Sequence, residues 1–304
     1  MRLTGFSPNV PMACYYDLLA EILREPSSNE RTGTGARKVF GRQLRFNLNE
    51  GFPLLTGKHV PFKLVASELL WFLSGSTNNN DLRKLNGNDR STIWEEWASD
   101  GKSGRSAKGA LGPMYSEQWR EWFYINGAGS IASIDQIVEL IENIKKRPNS
   151  RRHLVSAWNV ADLPDESISP QQNVDQGRMA IAPCHFSFQM DVNDDRLSCM
   201  VNMRSADMFL GVPFNIGSYA LLTHMIAEVT GLCVGDLIVS MGNAHIYDNH
   251  VDQVKEMLCR DLTAFPLSTL MIKRKINSID DFTLNDLEVI NYKSHESIKA
   301  SVAI

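Results

Sequence analysis

Residues 196–250, RLSCMVNMRSADMFLGVPFNIGSYALLTHMIAEVTGLCVGDLIVSMGNAHIYDNH, decide the fold that we expect for this chain. The segment opens with RLSCMVNMRS, whose partial alternation of apolar and polar residues predicts a strand. It continues into FNIGSYALLTHMIAEVTGL, a long apolar run that predicts a buried helix ending at Gly231. The run DLIVSMGNAHIYDNH then predicts another strand, and a helix follows it through Met257. Strand, helix and strand in succession indicate a mixed fold.

Three other segments predict strands. RRHLVSAWNV (151–160) and CHFSFQMDV (184–192) alternate in part, so we expect them to join RLSCMVNMRS in one sheet. KVFGRQLRFNLNEGFPLL (38–55) predicts short strands of alternating character. The residues that we expect to line the sheet are Arg152, Trp158, Cys184 and Arg204.

Helical spacing of apolar residues predicts further helices. The first covers about residues 12–23, and the second is FKLVASELLWFLSGST (62–77). The third is SIDQIVELIENIKKRPNS (133–150), with Ser133 as its N-cap and Pro148 as its stop. Without a repeat, a low-complexity segment or a domain-sized linker, the sequence predicts a single α+β domain over residues 1–304, with a mixed sheet packed by helices.

The composition argues against several classes of protein. We find no uncharged apolar run of about 18 residues that would span a bilayer, and the N-terminus does not read as a secretory signal. A net charge of −4 gives no electrostatic footprint for DNA or RNA. We therefore expect a cytoplasmic protein, in the host cytoplasm if the chain is viral, with no membrane partner and no nucleic acid.

The five cysteines are odd in number, widely spaced and without a C-x-x-C pair. This pattern fits neither a disulfide framework nor a zinc site, so we expect reduced thiols and no metal. Cys184 stands out because it lies between Pro183 and His185 in IAPCHFSFQM (181–190). From this decapeptide alone it is either a nucleophile or a buried core thiol.

Arginines occur in several polar, turn-rich contexts. Arg31 lies in a Gly/Thr loop, Arg151 and Arg152 follow an Asn-Ser pair, and Arg204 lies in the apolar run CMVNMRSADMFLG. Planar guanidinium groups match phosphate oxygens, so these residues form either a phosphate cradle or solvated surface. For Arg204 an unpaired buried charge would be costly, so we expect a bound anion or a carboxylate partner.

Other polar residues suggest acid–base and ligand-binding roles. Glu68 lies among apolar residues in SELLWFL, so its carboxyl must be paired, protonated or bonded through water, which is also how a general acid is tuned. His245 and Tyr247 share one face of a strand because they are two residues apart. Each of these side chains is also compatible with a purely structural role.

Eight segments, in order, resemble the thymidylate synthase family from about residue 14 to residue 304. They are ERTGTG, ELLWFLSGSTN, LGPMYSEQWR, SRRHLVSAWNV, APCH, RSADMFLGVPFNIGSYALLTHMIAEVTGL, NAHIYDNHVDQ and the terminal VAI. The resemblance implies one-carbon transfer from 5,10-methylenetetrahydrofolate to C5 of dUMP, 2′-deoxyuridine 5′-monophosphate. No flavin-site pattern is seen, and the family needs no metal.

The resemblance also implies the residues that act on the base. Cys184 matches the nucleophile that attacks C6, and Arg204 matches the cation beside it. Asn215 matches the side chain that reads the O4/N3 edge of uracil. Glu68 and Tyr115 match the residues that manage proton transfers through water near C4 and C5. Asp207 matches a catalytic residue with a backbone contact to the base and a part in folate binding.

The remaining matches concern the phosphate, the sugar and the folate. The phosphate ligands are Arg31, Arg204 and Ser205, with Arg151 and Arg152 from the second subunit of an obligate homodimer that forms through a sheet face. His245 and Tyr247 match the ligands of the ribose 3′-hydroxyl. The residues matched to folate binding, besides Asp207, are Lys58, Trp94, Trp97, Ile181, Phe214, Val302 and Ala303. Residues 302–304 would close over the ligands.

Several positions depart from the family pattern. Met203 and Ala206 replace the usual Gln and Cys, and Asn243 replaces an Asp beside the ribose ligands. His59 replaces a basic residue after Lys58, and the loop 99–110 is longer than usual, with Ala110 where an aspartate is common. The first replacement puts a thioether where an amide is usual, and a thioether is a much weaker hydrogen-bonding group.

These departures favour a related activity, deoxyuridylate hydroxymethyltransferase, in which water instead of hydride adds to the methylene group and 5-hydroxymethyl-dUMP forms. Asn215 indicates uracil rather than cytosine, so dCMP is the less favoured substrate. The alternative is a thymidylate synthase that makes dTMP and dihydrofolate, and the retained Trp94 and Val302 favour it. A remote alternative is a catalytically silent nucleotide- or RNA-binding regulator.

Overall fold

A five-stranded mixed sheet forms the centre of the molecule, whose computed structural model describes residues 10–30, 33–87, 91–101 and 106–302. The strands, in spatial order, are β1 (Ala36–Asn47), β7 (Cys233–Tyr247), β6 (Arg196–Asp207), β5 (His185–Asn193) and β4 (Leu154–Ser156). Strands β6 and β7 are parallel, and the other neighbours are antiparallel. The α+β fold with a mixed sheet is therefore confirmed.

The helix α7 (Gly211–Thr230) connects β6 to β7 and packs on the sheet. A parallel pair needs such a crossover because the chain must return to the starting end of the sheet before the second strand can run in the same direction. The helix is buried on nearly every side, as its continuous apolar sequence predicts, and Gly231 ends it with a φ of 73°. The strand–helix–strand prediction is confirmed.

Further helices and two small ribbons surround this centre. The helices are α1 (Ala13–Ile22), α2 (Phe62–Leu73), α3 (Asn79–Asn86), α4 (Tyr115–Arg120), α5 (Gln136–Lys146), α6 (Pro170–Asp175) and α8 (Val251–Leu258). The ribbons pair β2 (Trp122–Ile125) with β3 (Ile131–Ile134) and β8 (Thr269–Ile272) with β9 (Leu287–Ile290). Among the described helices, none is both long enough and apolar enough to cross a membrane.

The two faces of the sheet differ in burial. On β6, Leu197, Cys199 and Val201 are fully buried in the helix-covered core, whereas the intervening Met200 and Asn202 are only half-buried. Because side chains alternate along a strand, these residues define two faces. The second face is partly open in the single chain, and we call it the outer face.

Two details of the sequence prediction are wrong. Ser133 is not the N-cap of α5, because it pairs with Phe123 in the β2–β3 ribbon. The cap is Asp135, whose side chain accepts a hydrogen bond from the Val138 amide at 2.9 Å. The segment 38–55 does not form several short strands, because most of it belongs to the single long strand β1, which stays paired with β7 along its length.

Candidate active site

The predicted site residues converge where β6 and β7 end and β5 begins. The Arg204 amide donates to the Cys184 carbonyl at 2.8 Å, and Asp207 stands opposite His245 in the β6–β7 register. The helix α7 starts four residues after Asp207, which brings Phe214 and Asn215 to the same end of the sheet. Because β5 is antiparallel to β6, and β6 and β7 are parallel, residues that are distant in sequence meet at one end of these strands.

Cys184 is a half-buried thiol beside a positive charge. Its Sγ lies 4.0 Å from Nη2 of Arg204. Burial raises the pKa of the thiol, the Arg204 charge opposes this effect, and Asp207 adds to it. Cys199, by contrast, is fully buried in the core, and burial raises its pKa to about 12. Of these two cysteines, Cys184 alone combines surface access with a cation, which are the requirements for a nucleophile.

The side chain of Arg204 lies at the surface of the outer face, not in the apolar interior as its sequence context suggested. Its Nε donates to the Pro183 carbonyl at 2.9 Å and its Nη2 to the Ala182 carbonyl at 2.7 Å. The carboxylate or anion partner was expected because a buried charge needs one. Since the guanidinium is exposed to solvent and bonded to backbone carbonyls, its charge does not need such a partner. The two bonds hold the guanidinium beside Cys184.

An aromatic layer lies beneath the nucleophile. The Tyr115 hydroxyl accepts from the Cys184 amide at 2.7 Å, and its ring stacks on His185 with 4.1 Å between ring centroids. Nδ1 of His185 lies 2.8 Å from the Tyr219 hydroxyl. Burial lowers the pKa of His185 to about 3, so this imidazole is neutral. His185 and Tyr219 were absent from the predicted catalytic set, because the contacts that bring them beneath Cys184 join elements that are distant in sequence.

Glu68 lies on α2 in an almost dry environment. Nε1 of Trp94 donates to its Oε1 at 2.9 Å, and burial raises the pKa of the carboxyl to about 7. The carboxyl is therefore poised between its two protonation states near neutral pH, as an acid–base catalyst requires. The sequence expectation of a paired or protonated carboxyl agrees with this arrangement.

A small cavity separates Glu68 from Asn215. Its volume is about 10 Å³, and its lining consists of Glu68, Leu69, Phe72, Trp119, His185, Asn215, Ser218 and Tyr219. A volume of this size suits about one water molecule. The buried Ser218 hydroxyl lacks a hydrogen-bond partner within the described chain and lies in this lining. The cavity thus brings the polar groups of Glu68, Ser218 and Asn215 around a space that suits one water molecule.

Asp207 organises the start of α7. Its Oδ1 accepts from the amides of Phe209 at 3.0 Å and Leu210 at 3.2 Å, which lie just before the first helical turn. Nδ1 of the buried His250 lies 3.9 Å from the same oxygen. These contacts fix the carboxylate at the positive end of the helix that carries Asn215.

His245 and Tyr247 lie together at the end of β7, as predicted, with 4.8 Å between their ring centroids. His245 is 6% exposed, and its Nδ1 lies 3.1 Å from Oδ1 of Asn243. Burial lowers the pKa of His245, and the Asp207 charge opposes that effect.

The residues predicted to bind folate differ in burial. Lys58 is buried, its ammonium donates to the Phe209 carbonyl at 2.6 Å, and burial lowers its pKa to about 8. Trp94 and Trp97 pack together with 6.2 Å between ring centroids, while Ile181 and Phe214 are half-buried and Val302 is 41% exposed. Arg31 and Ala303 lie outside the described residues.

Arg151 and Arg152 are not part of this cluster in the single chain. Both are exposed and precede Leu154, which pairs with Gln189 on β5. Gln189 is five residues from Cys184, a distance of about 17 Å along an extended strand. The two arginines therefore lie beyond the far end of that span. Among the described residues, no cluster of three or more histidines, cysteines or carboxylates could hold a metal ion.

A thiol beside a guanidinium, with a buried carboxyl near neutral pKa, is an arrangement suited to covalent attack on an electrophilic ring. The thymidylate synthase family profile matches residues 13–304. Thymidylate synthase of Francisella tularensis subsp. holarctica (strain LVS) is 51% identical over 276 residues, which are 91% of this chain and 93% of that protein. Thymidylate synthase of Francisella philomiragia subsp. philomiragia is 52% identical over 275 residues, which are 90% and 93% of the two chains.

The chain therefore belongs to the thymidylate synthase family. This confirms the resemblance found in the sequence, and with it 5,10-methylenetetrahydrofolate as the co-substrate of the family. Both relatives are named thymidylate synthases, so the comparisons favour the dTMP-forming alternative over the hydroxymethyltransferase that Met203 and Asn243 suggested.

Proposed function

We propose that this protein converts dUMP to dTMP, with 5,10-methylenetetrahydrofolate supplying both the one-carbon unit and the hydride. The observation that carries this proposal is the half-exposed Cys184 thiol held 4.0 Å from Arg204 at one end of the sheet, in a chain about half identical to thymidylate synthases. Met203 is 3% exposed and stands opposite His185 in the β5–β6 register, which supports a packing role rather than control of water addition.

In the proposed mechanism, Cys184 supplies the nucleophile. Its thiolate forms a bond to C6 of uracil, and the electron pair of the C5–C6 double bond moves toward O4, which makes C5 nucleophilic. Because burial raises the pKa of the thiol, the thiolate needs the Arg204 charge. A bound nucleotide phosphate on Arg204 and Ser205 would also bring the ring to the thiol. Release of Cys184 at the end of the reaction restores the free enzyme.

Glu68, Tyr115 and the small cavity would handle protons. The Glu68 carboxyl exchanges a proton readily near pH 7 because its pKa is about 7. Burial keeps the Tyr115 pKa well above its ordinary value, so the hydroxyl stays protonated and can donate as well as accept. A water in the cavity beside Glu68 and Asn215 would connect the carboxyl to the O4 edge of the base.

Asn215, Asp207, His245 and Tyr247 would orient the nucleotide. The Asn215 amide offers one donor and one acceptor, which match O4 and N3–H of uracil and mismatch the exchanged pattern of cytosine. This supports dUMP over dCMP. Asp207 holds the start of α7, and hence Asn215, in place.

The folate would lie against the wall of Trp94, Trp97, Ile181 and Phe214, with its pteridine near Asp207. Lys58 donates one of its three N–H groups to the Phe209 carbonyl, which leaves the others for a contact with the glutamate tail. Val302 and the residues after it would close the site and exclude water. These assignments rest on the resemblance and on the half-buried apolar side chains in this region.

We also propose a homodimer whose outer faces pack together. The outer face carries the half-buried Met200 and, in register with it across β5, Leu154, which is 49% exposed. Large exposed apolar residues on a half-buried sheet indicate a protein interface. Since Arg151 and Arg152 lie far from Cys184 in their own chain, the partner's phosphate site is the position in which they would act.

The proposal also includes a domain assignment and a cellular location. One catalytic domain over residues 1–304 is supported by the family match to residues 13–304 and by one continuous core. A cytoplasmic location is supported by five cysteines that are all unpaired.

The covalent mechanism is tested with Cys184→Ser, which should abolish dihydrofolate formation while dUMP still binds, because serine is a far weaker nucleophile. Cys233→Ser is the matched control, since this cysteine is exposed and distant in sequence from the site. Turnover of Cys184→Ser at the rate of Cys233→Ser would refute the proposed role of Cys184.

A further inference from the structure

Asn243 and His245 form a pair on one face of β7. They are two residues apart on the strand, and Nδ1 of His245 lies 3.1 Å from Oδ1 of Asn243. An amide oxygen only accepts hydrogen bonds, so the proton of this bond resides on Nδ1 of the imidazole. The other ring nitrogen, Nε2, then carries a lone pair when the ring is neutral.

The surroundings of His245 favour the neutral ring. Lys38 stands opposite it on β1 and Asp207 opposite it on β6, so the flanking charges have opposite sign. Lys38 is itself paired with Glu30 at 2.6 Å, and Tyr247 covers the ring from the same strand. His245 is 6% exposed, and burial disfavours its charged form. A carboxylate in place of Asn243 would add the charge needed to hold an imidazolium.

We propose that Asn243 is a positioning residue that fixes the Nδ1-protonated tautomer of the neutral His245 ring, so that Nε2 accepts a hydrogen bond from the sugar 3′ position. The site then takes nucleotides with a donor at C3′ and discriminates against those with an acceptor alone. This inference rests on the proposed function, in which His245 contacts the ribose.

The family pattern sharpens the inference, because an aspartate usually occupies this position. With an aspartate, the imidazole gains a charged partner and Nε2–H becomes a donor. A 3′-hydroxyl can satisfy either form, since it both donates and accepts. The replacement therefore keeps dUMP as a substrate but reverses the polarity of the contact.

Binding of analogues tests this polarity without any turnover. Three probes are used by calorimetry at pH 7.5: dUMP, its 3′-amino-3′-deoxy analogue and its 3′-fluoro-3′-deoxy analogue. The wild-type protein should bind the fluoro analogue about tenfold more weakly than dUMP, the value of one lost hydrogen bond, and should bind the amino analogue at least as well as dUMP. Asn243→Asp should reverse the order of the two analogues, and Asn243→Ala should bring their affinities together.

Wild-type protein that binds the fluoro analogue as tightly as the amino analogue would overturn the proposal. Asn143→Asp is the matched control, because Asn143 is exposed on the helix α5. It adds the same charge away from His245 and should leave the order of the analogues unchanged. A reversed order in this control as well would contradict a specific role for Asn243.

A spectroscopic measurement reports the tautomer directly. The ¹⁵N resonances of His245, assigned by comparison with His245→Gln, should show a protonated Nδ1 and a bare Nε2 at neutral pH. Asn243→Asp should show both nitrogens protonated. A protonated Nε2 and a bare Nδ1 in the wild-type protein would overturn the proposal. Neither experiment depends on the product formed, so failure of the proposed function leaves this inference separately testable.

Discussion

The local surroundings of single side chains set the chemistry of this site. Cys184 and Cys199 are the same residue type about fifteen positions apart, yet one lies beside a guanidinium and the other among apolar side chains. Glu68 shows the same dependence, because a ring of apolar residues and a single Trp94 hydrogen bond bring its pKa to about 7. Burial is therefore the main means by which the fold tunes these groups.

The raised pKa of Glu68 has a consequence for stability. The folded protein keeps the Glu68 proton up to about pH 7, whereas the unfolded chain releases it near its ordinary value of 4.5. The folded state thus binds more protons in this window, and Glu68 makes the free energy of unfolding fall as pH rises from about 4.5 to 7. Glu68→Gln, which keeps the acceptor for Trp94, should raise that free energy at pH 8.5 by up to about 3 kcal/mol.

Urea unfolding at pH 4 and pH 8.5 measures this difference, and the two proteins should be equally stable at pH 4, where both side chains are neutral. Glu139→Gln is the control, because Glu139 is exposed on α5 and its replacement should change little at either pH. An equal effect of Glu68→Gln at both pH values would contradict the account of the buried carboxyl.

For single residues, the sequence was better at showing which side chains belong to the site than at showing how buried they are or what they contact. The Pro-Cys-His context of Cys184 and the apolar context of Glu68 are enough to mark both residues as candidates for the site. The apolar neighbours of Arg204 suggested burial, but alternation along β6 directs its side chain to the outer face. The stacking of His185 on Tyr115 joins β5 to α4, a contact between elements distant in sequence.

Secondary structure elements were predictable where the hydrophobic pattern was long. The twenty-residue α7 and its flanking strands follow from their own sequence because burial on all sides leaves a continuous apolar run. The start of α5 does not follow from its own sequence, since Ser133 and Asp135 are both residues that cap helices well. The pairing of Ser133 with Phe123 in the β2–β3 ribbon leaves Asp135 as the cap. The span of β1 likewise depends on its pairing with β7.

Ser301, near the end of the described residues, is bonded to the turn before α8. Nε2 of the buried His250 lies 2.7 Å from the Ser301 carbonyl, and the Asn249 amide donates to the same oxygen at 3.5 Å. His250→Phe keeps the ring but removes the donor, so the terminal residues should detach more often. The KM for the folate should then rise several-fold while dUMP affinity is kept, because closure over the ligands is weakened.

Steady-state kinetics and carboxypeptidase digestion measure these effects together. His250→Gln can still donate to Ser301 and should restore much of the wild-type KM and protease resistance. Asn249→Ala is a second comparison, since its contact is longer and its loss should matter less. Unchanged digestion of His250→Phe would contradict a role of this bond in holding the terminus.

For the whole molecule, the single chain is an incomplete unit in the proposed account. In that account, which rests on the half-open outer face and on the distance of Arg151 and Arg152 from Cys184, two chains build each site. The sequence could supply this idea only through its resemblance to the family. The sequence of one chain shows which side chains share a face of the sheet, but it does not show which surface covers that face.

Subunit mixing tests the shared site. Cys184→Ser and the double variant Arg151→Ala with Arg152→Ala should each be nearly inactive alone. After mixing and refolding, half of the dimers would be hybrid, and each hybrid would hold one complete site, so activity should recover to up to about a quarter of wild type. A mixture as inactive as its components would contradict arginines that cross between chains.

The central claim is reductive methylation of dUMP, and the product mass tests it most directly. The purified protein is incubated with dUMP and 5,10-methylenetetrahydrofolate, products are resolved by mass spectrometry, and dihydrofolate is followed by its absorbance. We predict dTMP and dihydrofolate in equal amounts. A product one oxygen atom heavier than dTMP, formed without dihydrofolate, would contradict the claim and would establish water addition as the final step.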